Sequence, residues 1–344
     1  MLTCSPYCLL STVYCLLMKN LRTAVVGVGH LGRQHARIHA ALAAGGGSEF
    51  VAVCDTDEGT AREVAAERGT RWTADWRTLP GEVDAVSLAT PTESHAEIAC
   101  ALLESGVHVL VEKPISRTLA EADRMIEAAR RGGATLMVGH LERFNPALVA
   151  LKPHVRQPVY FEIHRVGQFT ARSLDIDVVL DLMIHDLDIV LWLVGHGVEV
   201  TDVRGVGLPV ITPRVDAANA RIEFATGAVA NITASRVGTE KIRKMRFFQP
   251  HDYVAVDYAT RHASISSLAP PSSTGSWPGV QVRNLDIVDV EPLRTEIELF
   301  LEAAREGRPA PVTGEEGRTA LALAERLLAR IHEHPVIAGL GTQF

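Results

Sequence analysis

The stretch Thr23–Gly32, TAVVGVGHLG, constrains this chain more than any other. A short apolar run, Ala24-Val25-Val26, ends in Gly27-x-Gly29-x-x-Gly32, and a helical pattern follows. Strand, glycine turn and helix in that order form the first βαβ turn of a dinucleotide-binding domain. Gly27 permits the tight turn, Gly29 lets the backbone approach a pyrophosphate, and Gly32 lets helix and strand pack closely. His30 and Leu31 sit at the helix start, whose N–H groups and positive dipole end point at the phosphates. The next predicted strand, Phe50–Cys54, closes on Asp55, where an acidic residue binds both hydroxyls of the adenosine ribose. The spacing from Gly27 to Asp55 is longer than usual, and an Ala-rich helix with the turn Gly45-Gly46-Gly47 accounts for the extra length. The other reading of these glycines is a structural turn in a domain without a cofactor.

Strands and helices keep alternating from there to Gly139. Predicted strands at Thr70–Thr73, Ala85–Ala89, His108–Val111 and Thr135–Val138 are separated by helical stretches, which implies a parallel sheet covered on both faces. Ligands then gather at the carboxyl ends of the strands. Gly27, Asp55, Thr90-Pro91, Glu112-Lys113-Pro114 and His140 all fall at such ends. Asp55 favours NAD over NADP, because a carboxylate repels a 2′-phosphate and no arginine follows it. Lys113, at the end of a buried strand, reads either as a surface lysine or as a cation that shares its proton with a substrate hydroxyl. Pro114 restricts it to an extended backbone. His35 and His39 have the spacing of a two-histidine metal site, but no third ligand accompanies them. They read as polar side chains of a helix whose inward face is Leu31, Ile38 and Leu42.

After Leu141 the pattern changes to short alternating strands joined by turns, so a mostly antiparallel sheet with one broad open face is expected. One strongly helical stretch interrupts it, Val178–Val194, VVLDLMIHDLDIVLWLV. Asp181 and His185 are four apart and share a helix face, with Asp188 nearly on it. Three roles fit that spacing. The carboxylate can hold the histidine as a general base for an alcohol proton. The pair can be structural, or the three residues can ligate a metal. Two helices, Pro292–Arg305 and Glu315–Glu333, close the chain, and Ala269–Gly279 reads as a loop. Between Arg236 and Arg246 the otherwise acidic chain concentrates Arg236, Lys241, Arg243, Lys244 and Arg246, which suits a diphosphate or a solvated hairpin face.

A net charge of −7 over 344 residues gives no overall basic field, so nucleic acid is not an expected partner. The five cysteines include no CxxC pair, and Cys54 and Cys100 read as reduced core residues of a cytoplasmic protein. Residues 1–17 carry no charge and three of the cysteines. Their apolar run is too short to span a bilayer, and Met18 is the expected start of the protein.

The motifs VGVGHLG (Val26–Gly32), LATPTESH (Leu88–His95), VEKP (Val111–Pro114) and DLMIHDLD (Asp181–Asp188) together resemble the Gfo/Idh/MocA family. The resemblance implies an N-terminal Rossmann domain, a doubly wound parallel sheet, over residues 18–140. It implies a C-terminal α+β domain with an open sheet for substrate and oligomerisation over 141–312, then a closing helix and tail over 313–344. It further implies NAD(P)-dependent oxidation of a secondary alcohol on a sugar or polyol, in a homodimer or homotetramer formed through that sheet, with no resident metal. Residue by residue, Lys113 matches the catalytic lysine and Asp181 with His185 the D-x-x-x-H pair. His185 would take the hydroxyl proton, Lys113 would polarise the oxygen and Asp181 would orient the site. Glu112 would lie near the nicotinamide ribose, and Thr90, Pro91 and His95 would line the cofactor. His140–Leu148, Arg172–Asp188 and Ser235–Phe248 look most like the relatives that oxidise the 3-hydroxyl of UDP-N-acetylglucosamine. Arg143, Asn145, Arg172 and Arg243 would then join Lys113, Asp181 and His185 in binding substrate. The alternatives are a myo-inositol or free-sugar dehydrogenase and, from another class, a nicotinamide-binding sensor without turnover.

Overall fold

The computed structural model describes residues 20–169, 176–268 and 279–334. The expected substrate residue Arg172, residues 1–17 and most of the Pro/Ser-rich loop lie outside them. The chain divides into two compact units, one of residues 1–139 with 296–314, the other of residues 140–295 with 315–344.

The first unit is built on six parallel strands: β1 (Arg22–Val26), β2 (Glu49–Cys54), β3 (Arg71–Thr73), β4 (Ala85–Leu88), β5 (His108–Glu112) and β6 (Leu136–Gly139). Their order is β3-β2-β1-β4-β5-β6, the dinucleotide-binding order that reverses between β1 and β4. The crossovers are α1 (His30–Ala44), α2 (Glu58–Arg68), α3 (Thr92–Glu104) and α4 (Leu119–Gly132). Their starts follow ordinary capping chemistry. Asp57 caps α2, and Thr118 with Glu121 forms a reciprocal capping box on α4. Strand β4 is buried along its whole length, as expected of a strand covered on both faces. The residues Glu296–Gly314 also belong to this unit, although the sequence reading placed 141–312 in the second domain. A hydrogen bond from Val138 N–H to the Val312 carbonyl ties this returning segment to β6. Strand and helix periodicity carries no information about such a return.

The second unit holds an eight-stranded sheet in the order β14-β13-β12-β11-β7-β10-β9-β8. Its members are β7 (Tyr160–Gln168), β8 (Val200–Leu208), β9 (Ala217–Phe224), β10 (Val229–Gly238), β11 (Ile242–Gln249), β12 (Asp252–Asp257), β13 (His262–Leu268) and β14 (Val280–Asn284). Every pair is antiparallel except β7 with β10. Alternation along β7, β9 and β10 puts Phe161, Ile163, Ala220, Ile222, Ala230 and Ile232 inside. Those residues share one core with α5 (Pro146–Leu151), α6 (Ile184–Val194) and the end of α8 (Gly314–His332). The remaining long helix is α7 (Pro292–Glu306). Among the described residues no helix is long and apolar enough to cross a membrane.

Candidate active site

In the first unit the glycine turn is dictated by space. Gly27 has φ +82°, and a Cβ there would lie 2.7 Å from the Ala89 carbonyl carbon and the Thr90 nitrogen. A Cβ on Gly32 would lie 1.8 Å from the Gly27 carbonyl oxygen, so only glycine lets α1 sit this close to the turn. Gly29 differs: a Cβ there would meet nothing within 4 Å. It is the N-cap of α1, with no side-chain cap and no acidic residue in the first turn. A helix start left uncapped, beside open space on a glycine, fits an anionic pyrophosphate. Asp55 stands at the same edge, accepting from the Val28 N–H at 2.8 Å and the Asp57 N–H at 3.0 Å. His30 and Leu31 are exposed here, Leu31 at 52%. The expectation that Leu31 faces inward is therefore corrected. Ile38 and Leu42 do face inward, together with His35 and His39.

The ends of β4 and β5 are tied together behind this turn. His95, buried in α3, places Nε2 2.9 Å from the Thr90 carbonyl and Nδ1 3.1 Å from the Pro114 carbonyl. An N–H given to either links the two strand ends, and burial keeps the ring's pKa below the ordinary histidine value. Pro91 is the exposed residue just before α3. Lys113 is half-buried after β5. Glu112, at the last position of β5, accepts from His35 Nε2 at 2.9 Å. Burial pushes the Glu112 carboxyl up. The His35 hydrogen bond, with the charges of His35, Lys113 and His95, outweighs burial and holds the carboxyl below its usual range. The sequence reading missed this His35–Glu112 pair, because its members lie 77 positions apart. Asp55, the glycine turn, Thr90, His95 and Glu112 thus occupy the carboxyl edge of one sheet.

In the second unit the expected helix begins as a single π turn, Val179–Met183, before continuing as α6. Such wide turns are rare and recur at functional sites. Asp181 lies in the π turn and His185 in the first turn of α6. From Met183 to Leu191, His185 is the only residue that is not buried. The neighbouring acids are used in the interior. Asp186 takes both Nε and Nη2 of Arg165, and Asp188 takes Nε and Nη2 of Arg143. That removes Asp188 from any shared role with His185. Among the described residues no three His, Cys, Asp or Glu side chains are grouped to hold a metal ion.

Arg143 and Asn145 prove to be interior residues, at 4% and 6% exposure. Arg143 also donates to Glu316 at 2.7 Å, and its guanidinium lies over the Trp192 ring. Asn145 caps α5 through the Ala147 N–H and donates to Glu142 and the Tyr258 carbonyl. Their polar atoms hold the fold of this unit, which corrects the expectation that they meet sugar hydroxyls. The basic cluster is divided as well. Arg236 is buried, donating to the Ile176 carbonyl and facing Asp216. In β11, strict alternation puts Arg243 on the same face as the buried Met245 and Phe247, and Lys244 and Arg246 on the other. Arg243 is half-buried beside Glu142 and Arg165. Burial first, then the Arg165 charge, lowers its pKa. One stretch of basic sequence therefore serves both faces of the sheet: Arg236 and Arg243 lie on the face that carries the shared core, and Lys244 and Arg246 on the other.

Comparison with known proteins agrees with this architecture. The profile described as "Oxidoreductase family, NAD-binding Rossmann fold" matches residues 21–140, and "GFO/IDH/MocA C-terminal domain" matches residues 120–248. A dinucleotide unit joined to an open-sheet unit of this kind defines a nicotinamide-dependent oxidoreductase. The chain belongs to the Gfo/Idh/MocA oxidoreductase family. It is 41% identical over 308 residues to UDP-N-acetylglucosamine 3-dehydrogenase of Acidithiobacillus ferrooxidans, covering 89% of this chain and 96% of that enzyme. A solved structure of that enzyme superposes with a TM-score of 0.84 at 39% identity, over 91% of this chain and 98% of the other. The NAD-dependent scyllo-inositol 2-dehydrogenase of Bacillus subtilis is 33% identical over 236 residues, 63% of this chain and 68% of that enzyme. Levoglucosan dehydrogenase in complex with NADH and levoglucosan has the same fold, with a TM-score of 0.80 at 20% identity over 92% of this chain and 98% of that one.

Proposed function

We propose that this protein is a dehydrogenase that oxidises the 3-hydroxyl of UDP-N-acetylglucosamine, with NAD as the cofactor. The observation that carries the reading is the similarity to the Acidithiobacillus enzyme over nearly its whole length. Bound nicotinamide supplies the hydride acceptor. Gly29 and the uncapped start of α1 hold the pyrophosphate, and Asp55 takes the adenosine ribose. Thr90, Pro91 and Glu112 line the cofactor, His95 holds the strand ends of Thr90 and Pro114 behind them, and Asp55 sets the preference for NAD over NADP. His185 accepts the proton of the substrate hydroxyl, Lys113 polarises its oxygen, and Asp181 orients the site. The protein acts in the cytoplasm as a homo-oligomer. The open face of its second sheet, where Tyr160, Phe248 and Tyr253 stack in a row, forms the contact.

A second reading is a polyol dehydrogenase, favoured by the division of the basic cluster, which turns Lys244 and Arg246 away from the covered face and ties Arg236 there to the Ile176 carbonyl and Asp216. A cofactor-reduction assay separates the two. NADH formed with UDP-N-acetylglucosamine but not with myo-inositol or glucose supports the first reading, and the reverse pattern overturns it. In the same assay His185→Ala should lower turnover by roughly a hundredfold or more while NADH affinity is kept. Full turnover in that variant removes His185 from the role of base.

A further inference from the structure

His35 and Glu112 come from different elements, α1 and β5, and meet at the carboxyl edge of the first sheet. Nε2 of His35 lies 2.9 Å from Oε1 of Glu112. Burial, which would raise the Glu112 pKa, is outweighed by this hydrogen bond and the charges around it, so the carboxylate accepts and Nε2 donates. Nδ1 of the same ring is buried with no hydrogen-bond partner among the described residues, so the Glu112 contact orients the ring. The two oxygens of Glu112 are unlike. Oε1 is tied to a ring whose side chain keeps 2% exposure, while the glutamate side chain keeps 15%. Oε2 accepts no hydrogen bond among the described residues and still touches solvent. Gly139, at the end of β6, makes room beside it: a Cβ there would lie 3.3 Å from Oε2 and 3.3 Å from the Glu112 Cα. Three elements thus pin one carboxylate oxygen and leave the other uncovered, at the strand end that runs on into Lys113.

We propose that His35 is a positioning residue of the cofactor site: by holding Oε1 of Glu112 it presents Oε2 as the acceptor for a hydroxyl of the ribose next to nicotinamide. That Glu112 meets this ribose rests on the functional reading above, whereas the His35–Glu112 bond does not. A pinned carboxylate has little freedom left to lose when a hydroxyl arrives. Without His35 the buried oxygen loses its donor, and the side chain is free to turn from the edge.

Calorimetric titration with NADH and with ADP tests the role, because ADP lacks the ribose that Glu112 would meet. His35→Phe keeps a ring and removes the donor, and His35→Gln keeps a donor. His35→Phe should weaken NADH binding by roughly tenfold, the scale of one lost hydrogen bond to a charged group, and leave ADP binding in place. His35→Gln should recover most of the loss. In a Glu112→Gln background His35→Phe should cost nothing further, because His35 acts through the carboxylate. Equal weakening of NADH and ADP, equal losses in the Phe and Gln variants, or losses that multiply in the double variant would leave His35 a fold-supporting residue and overturn the proposal. Nitrogen NMR of the labelled parent protein reads the bond itself, with no ligand present. Nε2 should carry the hydrogen, and its resonance should move in Glu112→Gln. A bare Nε2, or a resonance indifferent to that substitution, also overturns the proposal. If the parent binds neither NADH nor ADP, the functional reading fails and takes the cofactor role of His35 with it, and the nitrogen spectrum still decides the bond.

Discussion

Arg165 grips Asp186 through two hydrogen bonds, Nε to Oδ2 at 2.7 Å and Nη2 to Oδ1 at 2.8 Å, and neither side chain reaches solvent. The pair joins β7 to the first turn of α6, one residue beyond His185. Burial opposes the Arg165 charge, but Asp186 and Glu142 outweigh it and raise the arginine's pKa further. Removing Asp186 takes two charge-assisted hydrogen bonds from the buried guanidinium and leaves it Glu142 alone, at 2.9 Å. Asp186→Leu should therefore destabilise the second unit by about 3–5 kcal/mol. Adding Arg165→Met in the same chain should recover most of that loss, because the buried guanidinium is gone and Glu142, its other partner, reaches solvent. Urea unfolding of the parent and both variants checks this. A loss below about 1 kcal/mol for Asp186→Leu would show that the pair is not desolvated as the geometry requires.

The two outer features of the glycine turn separate folding from binding. Gly32 has the Gly27 carbonyl where its Cβ would go, so Gly32→Ala should lower the melting temperature as well as cofactor affinity. Gly29 has open space there and φ −67°, so Gly29→Ala should leave the melting temperature unchanged. Its methyl group would stand where the pyrophosphate approaches, and NAD affinity should fall by at least roughly tenfold, about 1.4 kcal/mol. Calorimetric titration with NADH alongside thermal melts measures both. Normal binding by Gly29→Ala would place the pyrophosphate elsewhere.

What was legible in the sequence was whatever local order carries. The glycine turn, the strand ends at Asp55, Thr90 and Glu112, and the alternation of β7 to β13 all express a period of two or a β–α succession. What was not legible depends on partners far away in the chain. Arg143 and Asn145 looked like ligand residues because polar side chains after a strand end usually face solvent. Asp188 and Glu316, 45 and 173 positions away, draw Arg143 inside. The basic stretch 236–246 read as one patch, although a strand sends successive residues to opposite faces. The π turn at Val179–Met183 left no trace either, since its residues suit an α-helix equally well.

Asp55 offers a test of cofactor choice. Its carboxylate is held by the Val28 and Asp57 amides, so its charge stays at the edge of the glycine turn. Asp55→Ala should raise the KM for NAD and lower that for NADP, shifting the ratio on the order of tenfold, about 1.4 kcal/mol. Steady-state kinetics with both cofactors gives the ratio. An unchanged preference would mean that another group reads the 2′ position.

His39 sets the acid limit of the first unit. It is fully buried in α1, hydrogen-bonded with Ser87 at 2.9 Å and stacked on Phe50 at 5.7 Å. Burial, with a smaller contribution from His35, pushes its pKa down to about 3. The unfolded chain has an ordinary histidine there, titrating near ~6.5. Between those two values the unfolded state binds a proton that the folded state refuses, so stability falls as pH drops from about 6.5 toward 3. At pH 7 the ring is neutral in both states and no penalty remains. His39→Phe keeps an aromatic ring against Phe50 and removes the titration. Its stability at pH 7 should be lower, because Ser87 loses its partner. Its further loss on acidification should be smaller than the parent's, by up to about tenfold in folding constant per pH unit. Thermal melts of both proteins from pH 7 to pH 4.5 measure the difference, from which the carboxylates common to both cancel. Parallel curves would mean that the buried ring accepts its proton without unfolding the unit.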